Sequence, residues 1–249
     1  MADAPALVPT LTDDFPPATE ADWRALVDKT LGEAPFASLE KTTAEGLPIA
    51  PLYAPAAKPA APARTVSADR AWAVATLTAH PDPARANAEI LADLRGGAAA
   101  VTLRIDPTGK AGVAIGSAAG LARALDEVIL ELAPVALDAG FLGPQAADWL
   151  DAAAKASPNA LLRFHLDPLS AYAEAGASPG PIEAHLISAA NVATRLAETY
   201  PLAQLFLASG RVVHEAGGGE ALEVAFAAAA AIAYAKALVR AGMPMEHAF

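Results

Sequence analysis

The chain is predicted to be an α/β protein: a parallel sheet of right-handed strand-helix crossovers behind an N-terminal arm. Three observations predict it. Strand-like and helix-like segments alternate five times, at 71–78, 99–105, 134–138, 160–165 and 203–208 for strands, and at 83–95, 117–132, 143–156, 182–199 and 220–241 for helices. The strand segments are short continuous apolar runs, as expected where helices cover a parallel sheet. Finally, a closed eight-stranded (β/α) barrel takes roughly 250 residues by itself, and the arm uses the first 67 of the 249 here. Five units therefore form either an open sheet or a barrel interrupted after its fifth helix.

Residues 1–14 read as a disordered leader, 15–67 as the arm and 68–249 as the (β/α) body. In the arm, Pro16-Pro17 stops one segment. Thr19 is a candidate N-cap with Asp22 three positions on, the capping-box spacing. Trp23, Leu26, Val27 and Leu31 then recur at helical spacing, and Gly32 is placed to end the helix. A Pro-studded extended stretch follows through Ala34-Pro35-Phe36 and 46–53, leading to an Ala/Pro-rich connector at 54–63. Such a layout lies along another surface, so a partner is implied. In the body, Pro83 suits a first helical turn, and Ser117 is a candidate N-cap before Leu121, Leu125, Val128, Ile129 and Leu132.

Composition excludes several classes. Hydrophobic residues make up 54% and charged residues 18%, ample for a large core. Net charge is −11 with no basic stripe, which disfavours nucleic-acid binding. With no cysteine there is no thiolate nucleophile or disulfide framework. The start, Met-Ala-Asp-Ala-Pro, lacks the basic and apolar regions of a secretory signal. The richest apolar stretch, 224–239, is broken by Lys236 and flanked by Glu223 and Arg240, so no membrane span is expected and a cytoplasmic protein is. No His, Asp and Glu set has metal-ligand spacing. Gly217-Gly218-Gly219 lacks the lysine of a P-loop and the spacing of a dinucleotide fingerprint.

Three stretches carry a family resemblance. The first is the arm from Phe15 to Tyr53. The second is Gly112-Val113-Ala114-Ile115-Gly116-Ser117 leading into a helix, similar to Ala-Gly-Val-Ala-Ile-Asp-Ser with Gly116 in place of the Asp. The third is Glu215-Ala216-Gly217-Gly218, then Leu222-Glu223-Val224-Ala225-Phe226 and a helix ending Arg240-Ala241-Gly242, similar to Glu-Ala-Gly-Ala and the helix after it. In these the chain resembles the N-terminal part of the methylmalonyl-CoA mutase family, most closely its small subunit. The resemblance implies a TIM-barrel-type fold, apparently incomplete, in an assembly that interconverts methylmalonyl-CoA and succinyl-CoA. It also implies adenosylcobalamin in that assembly, bound elsewhere than on this chain, and a heterodimer with the large subunit.

The chain departs from the family where chemistry is expected. A Tyr-His pair that precedes Glu-Ala-Gly in the catalytic subunit corresponds to Arg211-Val212, and the imidazole stands two positions on, at His214. A substrate-reaching Gln corresponds to His165. The substrate-clamping loop is replaced by Asp106-Pro-Thr-Gly-Lys110, and no Asp-x-His-x-x-Gly cobalamin motif occurs.

The candidate site residues are therefore His165 and His214, expected near the C-terminal ends of strands, where barrel enzymes place their chemistry. Asp167 and Glu215 are their candidate orienting partners. Each has a plain structural alternative: a histidine held by a backbone carbonyl, an acid capping the next helix. Glu215 also matches a family position near the adenosyl side of the pocket. The first functional expectation is a small, non-catalytic subunit that stabilises its partner, since losing one preorganised donor costs about 10²–10³ in rate. The second is an independent α/β enzyme using His165 with Asp167 and His214 with Glu215 on a small acyl or carbonyl substrate.

Overall fold

Thr19 opens the first helix, α1 (Glu20–Leu31), with a complete capping box: its hydroxyl accepts from Asp22 N at 3.2 Å and the Asp22 carboxylate accepts from Thr19 N at 3.0 Å. Gly32 at φ +60° ends it. The structure, a computed structural model, describes residues 16, 18–54, 72–157 and 159–248. The leader at 1–14, Phe15, Pro17, the connector from 55 on, the boundary near 68 and the strand start at 71 lie outside the described residues. The chain divides into two compact units, Met1–Arg64 and Thr65–Phe249.

In the first unit the stretch after α1 is more structured than the extended arm read from the prolines. A 3₁₀ turn, Phe36–Leu39, precedes a two-stranded antiparallel hairpin, β1 (Lys41–Thr42) and β2 (Pro48–Ile49). Gly46 at φ +85° and the Thr43 hydroxyl, which accepts from Leu47 N at 3.1 Å, close the turn. Trp23 meets Phe36 edge-on at 6.1 Å between ring centroids, and the Arg24 guanidinium stands 3.5 Å from the Phe36 centroid. None of its described residues is buried.

The second unit carries five parallel strands in sequential order: β3 (Ala75–Thr78), β4 (Ala100–Arg104), β5 (Val135–Asp138), β6 (Leu162–Leu166) and β7 (Gln204–Phe206). Unbroken sequential order is the winding of a barrel rather than of a doubly wound sheet, whose strand order reverses. Among the described residues the sheet does not close, and β3 and β7 are its edges. The connecting helices are α2 (Pro83–Arg95), α3 (Ala118–Ala124), α4 (Gly143–Ala154), α5 (Pro168–Ala175), α6 (Ile182–Thr199), α7 (Arg211–Glu215) and α8 (Glu220–Arg240), with α9 (Met245–Ala248) last.

Two helices have the predicted bounds, α2 and α6. The predicted helix at 117–132 is shorter: α3 ends at Ala124, and turns carry the chain to Ala133 through Glu127 at φ +60°. The Leu125, Val128 and Ile129 pattern is helical in spacing, but Leu125 and Val128 pack on the core from those turns while Ile129 is exposed. The short helices α5 and α7, built into the loops after β6 and β7, were not predicted.

One face of the sheet makes the core. Val101 and Leu103, Val135 and Leu137, and Leu162, Phe164 and Leu166 are at most 1% exposed and pack with Ile90, Leu121, Leu150 and Leu196 from the helices. Each such side chain contributes about 1.5–3 kcal/mol by leaving water. The other face is read from register, since parallel partners share a face. Leu77, Thr102, Ala136, Arg163 and Gln204 form one row across all five strands, and Arg104 with Asp138 begins the next.

The segment 112–117 shows which glycine is required. A Cβ on Gly112 would lie 2.7 Å from Arg104 O, because Val113 bridges beside Ile105. At Gly116 the nearest atom would be the Pro107 Cβ at 4.0 Å. Gly112→Ala is therefore expected to destabilise by about 1–3 kcal/mol through overpacking. Gly116→Asp, which restores the family residue, should change stability by less than about 1 kcal/mol. Chemical denaturation of the two variants checks both.

The long apolar helix α8 meets the length and hydropathy of a membrane span, with a mean hydropathy of 1.7 over its best window. In this fold it buries Ala230, Tyr234, Ala235 and Leu238 against the body.

Candidate functional site

The strand ends on the inner face surround a cavity of about 300 Å³. Its walls include Leu77, Thr102 and Arg104, then Asp138 and His165; Arg211 and Glu215 come from α7, and Asp167, Ser170 and Glu174 come from α5 and its cap. Sequence alone brings charge here in a legible way: Arg104, Asp138 and His165 each sit at or near the end of an apolar strand run. The site is a ring of side chains from neighbouring strands, the arrangement barrels use for function.

These groups satisfy one another. Arg104 Nε donates to Asp138 Oδ2 at 2.9 Å, and the two side chains are about 30% exposed (29% and 32%). Arg211 reaches from α7 toward the same oxygen at 3.7 Å and pairs with Glu215 at 3.6 Å. The four form a continuous chain of alternating charge across the mouth. Sequence reasoning missed Arg104 and Asp138 as site residues; the signal was a charged residue ending an apolar strand in two successive units.

His165 lies where predicted, at the end of β6, in the left-handed region at φ +46°. A non-glycine residue there carries strain of order 1–3 kcal/mol. The register irregularity between β6 and β7 at this point explains the turn of the backbone. The Gln204 side chain lies beside its ring. Burial holds its pKa below the usual histidine value, reinforced by Arg163 and opposed by the neighbouring Gln204 amide and Asp138. The ring is thus neutral near pH 7, a donor or acceptor rather than a cation.

The expected partner of His165 is engaged elsewhere. Asp167 caps α5, accepting from Ser170 N at 3.0 Å, and accepts a short hydrogen bond from the Tyr234 hydroxyl of α8. That hydroxyl accepts in turn from Leu169 N at 3.1 Å. Burial pushes the Asp167 carboxyl up despite those bonds and drives the Tyr234 hydroxyl well above its ordinary value. The helix-capping role of the acid is the one realised.

His214 is a correction. It is not at a strand end but within α7, exposed, with Nδ1 2.8 Å from Glu223 Oε1 at the start of α8. The physical reason is the turn after β7: Ser209 and Gly210 start a helical turn at once, which carries the side chain two residues past Val212 away from the cavity. The expected His214–Glu215 pair does not form; Glu215 faces the cavity and pairs with Arg211.

Cobalamin does not fit these residues. A corrin macrocycle is far larger than a cavity of about 300 Å³, at the lower bound even for drug-sized ligands. The His214 imidazole is also engaged, by Glu223. No group of three or more metal-ligating side chains gathers among the described residues.

The sequentially ordered parallel sheet and its polar strand-end cavity define a (β/α)-barrel-type domain. The methylmalonyl-CoA mutase family profile matches residues 60–249, and the chain belongs to that family. It is similar to the methylmalonyl-CoA mutase small subunit of Streptomyces virginiae, 32% identical over 266 aligned positions covering 96% of this chain and 41% of that protein. It is also similar to the small subunit of Propionibacterium freudenreichii subsp. shermanii, 30% identical over 278 positions covering 100% of this chain and 42% of that protein. The chain thus spans about two-fifths of the length of these relatives.

Proposed function

We propose that this chain is a methylmalonyl-CoA mutase small subunit, or its N-terminal portion, and acts structurally, stabilising a catalytic large subunit in a cytoplasmic, cobalamin-dependent heterodimer. The assembly interconverts methylmalonyl-CoA and succinyl-CoA, with adenosylcobalamin held by the partner. The observation that carries this reading is the Arg104–Asp138–Arg211–Glu215 network at the cavity mouth. A site that stabilises a developing charge needs donors aimed at the reacting atoms and otherwise unengaged. Here each charge of that network already has a protein partner. The arm supports the partner role, since α1 and the hairpin bury none of their described residues and need an outside surface to do so.

The test is turnover of methylmalonyl-CoA with adenosylcobalamin, by this chain alone and with the large subunit. This chain alone is expected to be inactive. In the assembly, His165→Ala and Arg211→Ala should each change kcat less than 2-fold. Turnover by the isolated chain, or a loss of 100-fold from His165→Ala in an intact heterodimer, would overturn the reading.

A further inference from the structure

On the outer surface, away from the strand-end cavity, α6 and α8 run side by side and leave a groove of about 580 Å³ between them. Its floor is made of small residues, Ala190, Ala233 and Ala237, and its α6 wall carries Leu186, Ile187 and one acid, Glu183. Ile187 is 61% exposed, an apolar side chain presented to water beside an apolar floor. At one end stand Lys236 and Arg240, one turn apart on the same face of α8. Among the described residues neither makes an ion pair. Like charges at i and i+4 repel, so the pair is paired most favourably by an outside carboxylate. In a chain of net charge −11, two cations against the single acid Glu183 in this lining are a local reversal of sign.

We propose that this groove is a docking surface for an apolar helix of the large subunit bearing an acidic residue aimed at Lys236 and Arg240. The inference rests on the heterodimer reading above and names the surface that serves it. A helix is favoured over a strand because the groove offers its occupant a single uncharged polar side chain, Asn191. An extended segment would leave its backbone N–H and C=O groups facing alanine and leucine, at a cost a helix avoids by satisfying them internally. The dimensions agree: the lining runs about eight residues along each helix, close to 12 Å at 1.5 Å per residue, or two turns of a seated helix. Small floor residues let such a ridge approach closely.

The experiment measures affinity of the chain for the purified large subunit at low and high salt. The variants are Lys236→Glu/Arg240→Glu, which reverses the charge at exposed positions, and Ile187→Glu, which wets the wall. Wild type should bind, the charge reversal should weaken binding at least 10-fold at low salt with a flatter salt dependence, and Ile187→Glu should weaken it at both salts. Circular dichroism confirms that the variants keep their helices. Unchanged affinity in both variants overturns the groove while leaving the heterodimer in place. Failure of the wild-type chain to bind overturns both. A fatty acid or other amphiphile found in the groove by native mass spectrometry, and displaced by neither subunit nor salt, also overturns it.

Discussion

Phe164→Ala is expected to lower stability by about 3–5 kcal/mol, enough to unfold a marginal domain. Phe164 is fully buried in β6 on the sheet's helix-facing side. Its ring tilts against Tyr200 at 5.9 Å, and the Tyr200 hydroxyl donates to Asp151 at 2.9 Å on α4. Truncation therefore opens a cavity at the junction of β6, α4 and the end of α6, where three elements converge and none can collapse independently. The same burial, with Asp151 beside it, pushes the Tyr200 hydroxyl up to about 12, so it stays a donor at any ordinary pH. Phe164→Leu, which keeps most of the volume, should cost about half as much or less. Urea denaturation of the three proteins decides the matter; a Phe164→Ala loss below about 1 kcal/mol would mean that the helix layer is not packed as described.

Position 164 also shows how far the sequence carried. The apolar run 160–165 announced a strand covered by helices; in the structure Leu162, Phe164 and Leu166 are buried and Arg163 and His165 between them are half-buried. The strands and the main helices followed from such runs, and Thr19 and Ser117 as caps followed from local hydrogen-bonding chemistry. The site was legible only in part. His165 could be placed at a strand end, but its left-handed backbone depends on a register shift against β7, a long-range event with no local signal. His214 was misplaced because a five-residue helix is too short to leave a periodicity. The ion-pair chain joins residues 104, 138, 211 and 215 from three separate crossover units, and nothing in their spacing marks them as neighbours.

Tyr234→Phe is expected to cost about 2–6 kcal/mol, on the order of 1–3 for each of the two buried partners left unmade. The Tyr234 side chain runs from α8 to the cap of α5, where its hydroxyl serves Asp167 and Leu169 N at once. It also stacks on Phe206 at 4.5 Å, so the phenyl replacement keeps the packing and isolates the hydrogen bonds. The effect depends on pH through Asp167, whose folded-state pKa is raised by burial above its ordinary 3.8. A group raised on folding binds more protons in the native state. Its contribution to stability is therefore fully present below the unfolded value and is lost as pH rises through the folded one. Asp167→Asn stays neutral and keeps an oxygen to accept from Tyr234 and Ser170 N. Relative to this variant, the wild-type protein should be most stable in acid and lose ground as pH climbs from about 3.8 through the folded pKa of Asp167. In Tyr234→Phe the donor that opposes the upward shift is gone, so the loss should extend to higher pH. Urea denaturation of the three proteins at pH 4, 5.5 and 7 reads this directly. A wild-type minus Asp167→Asn difference that stays flat across that range would show that Asp167 is fully hydrated, and that Tyr234 holds α8 to the sheet by packing alone.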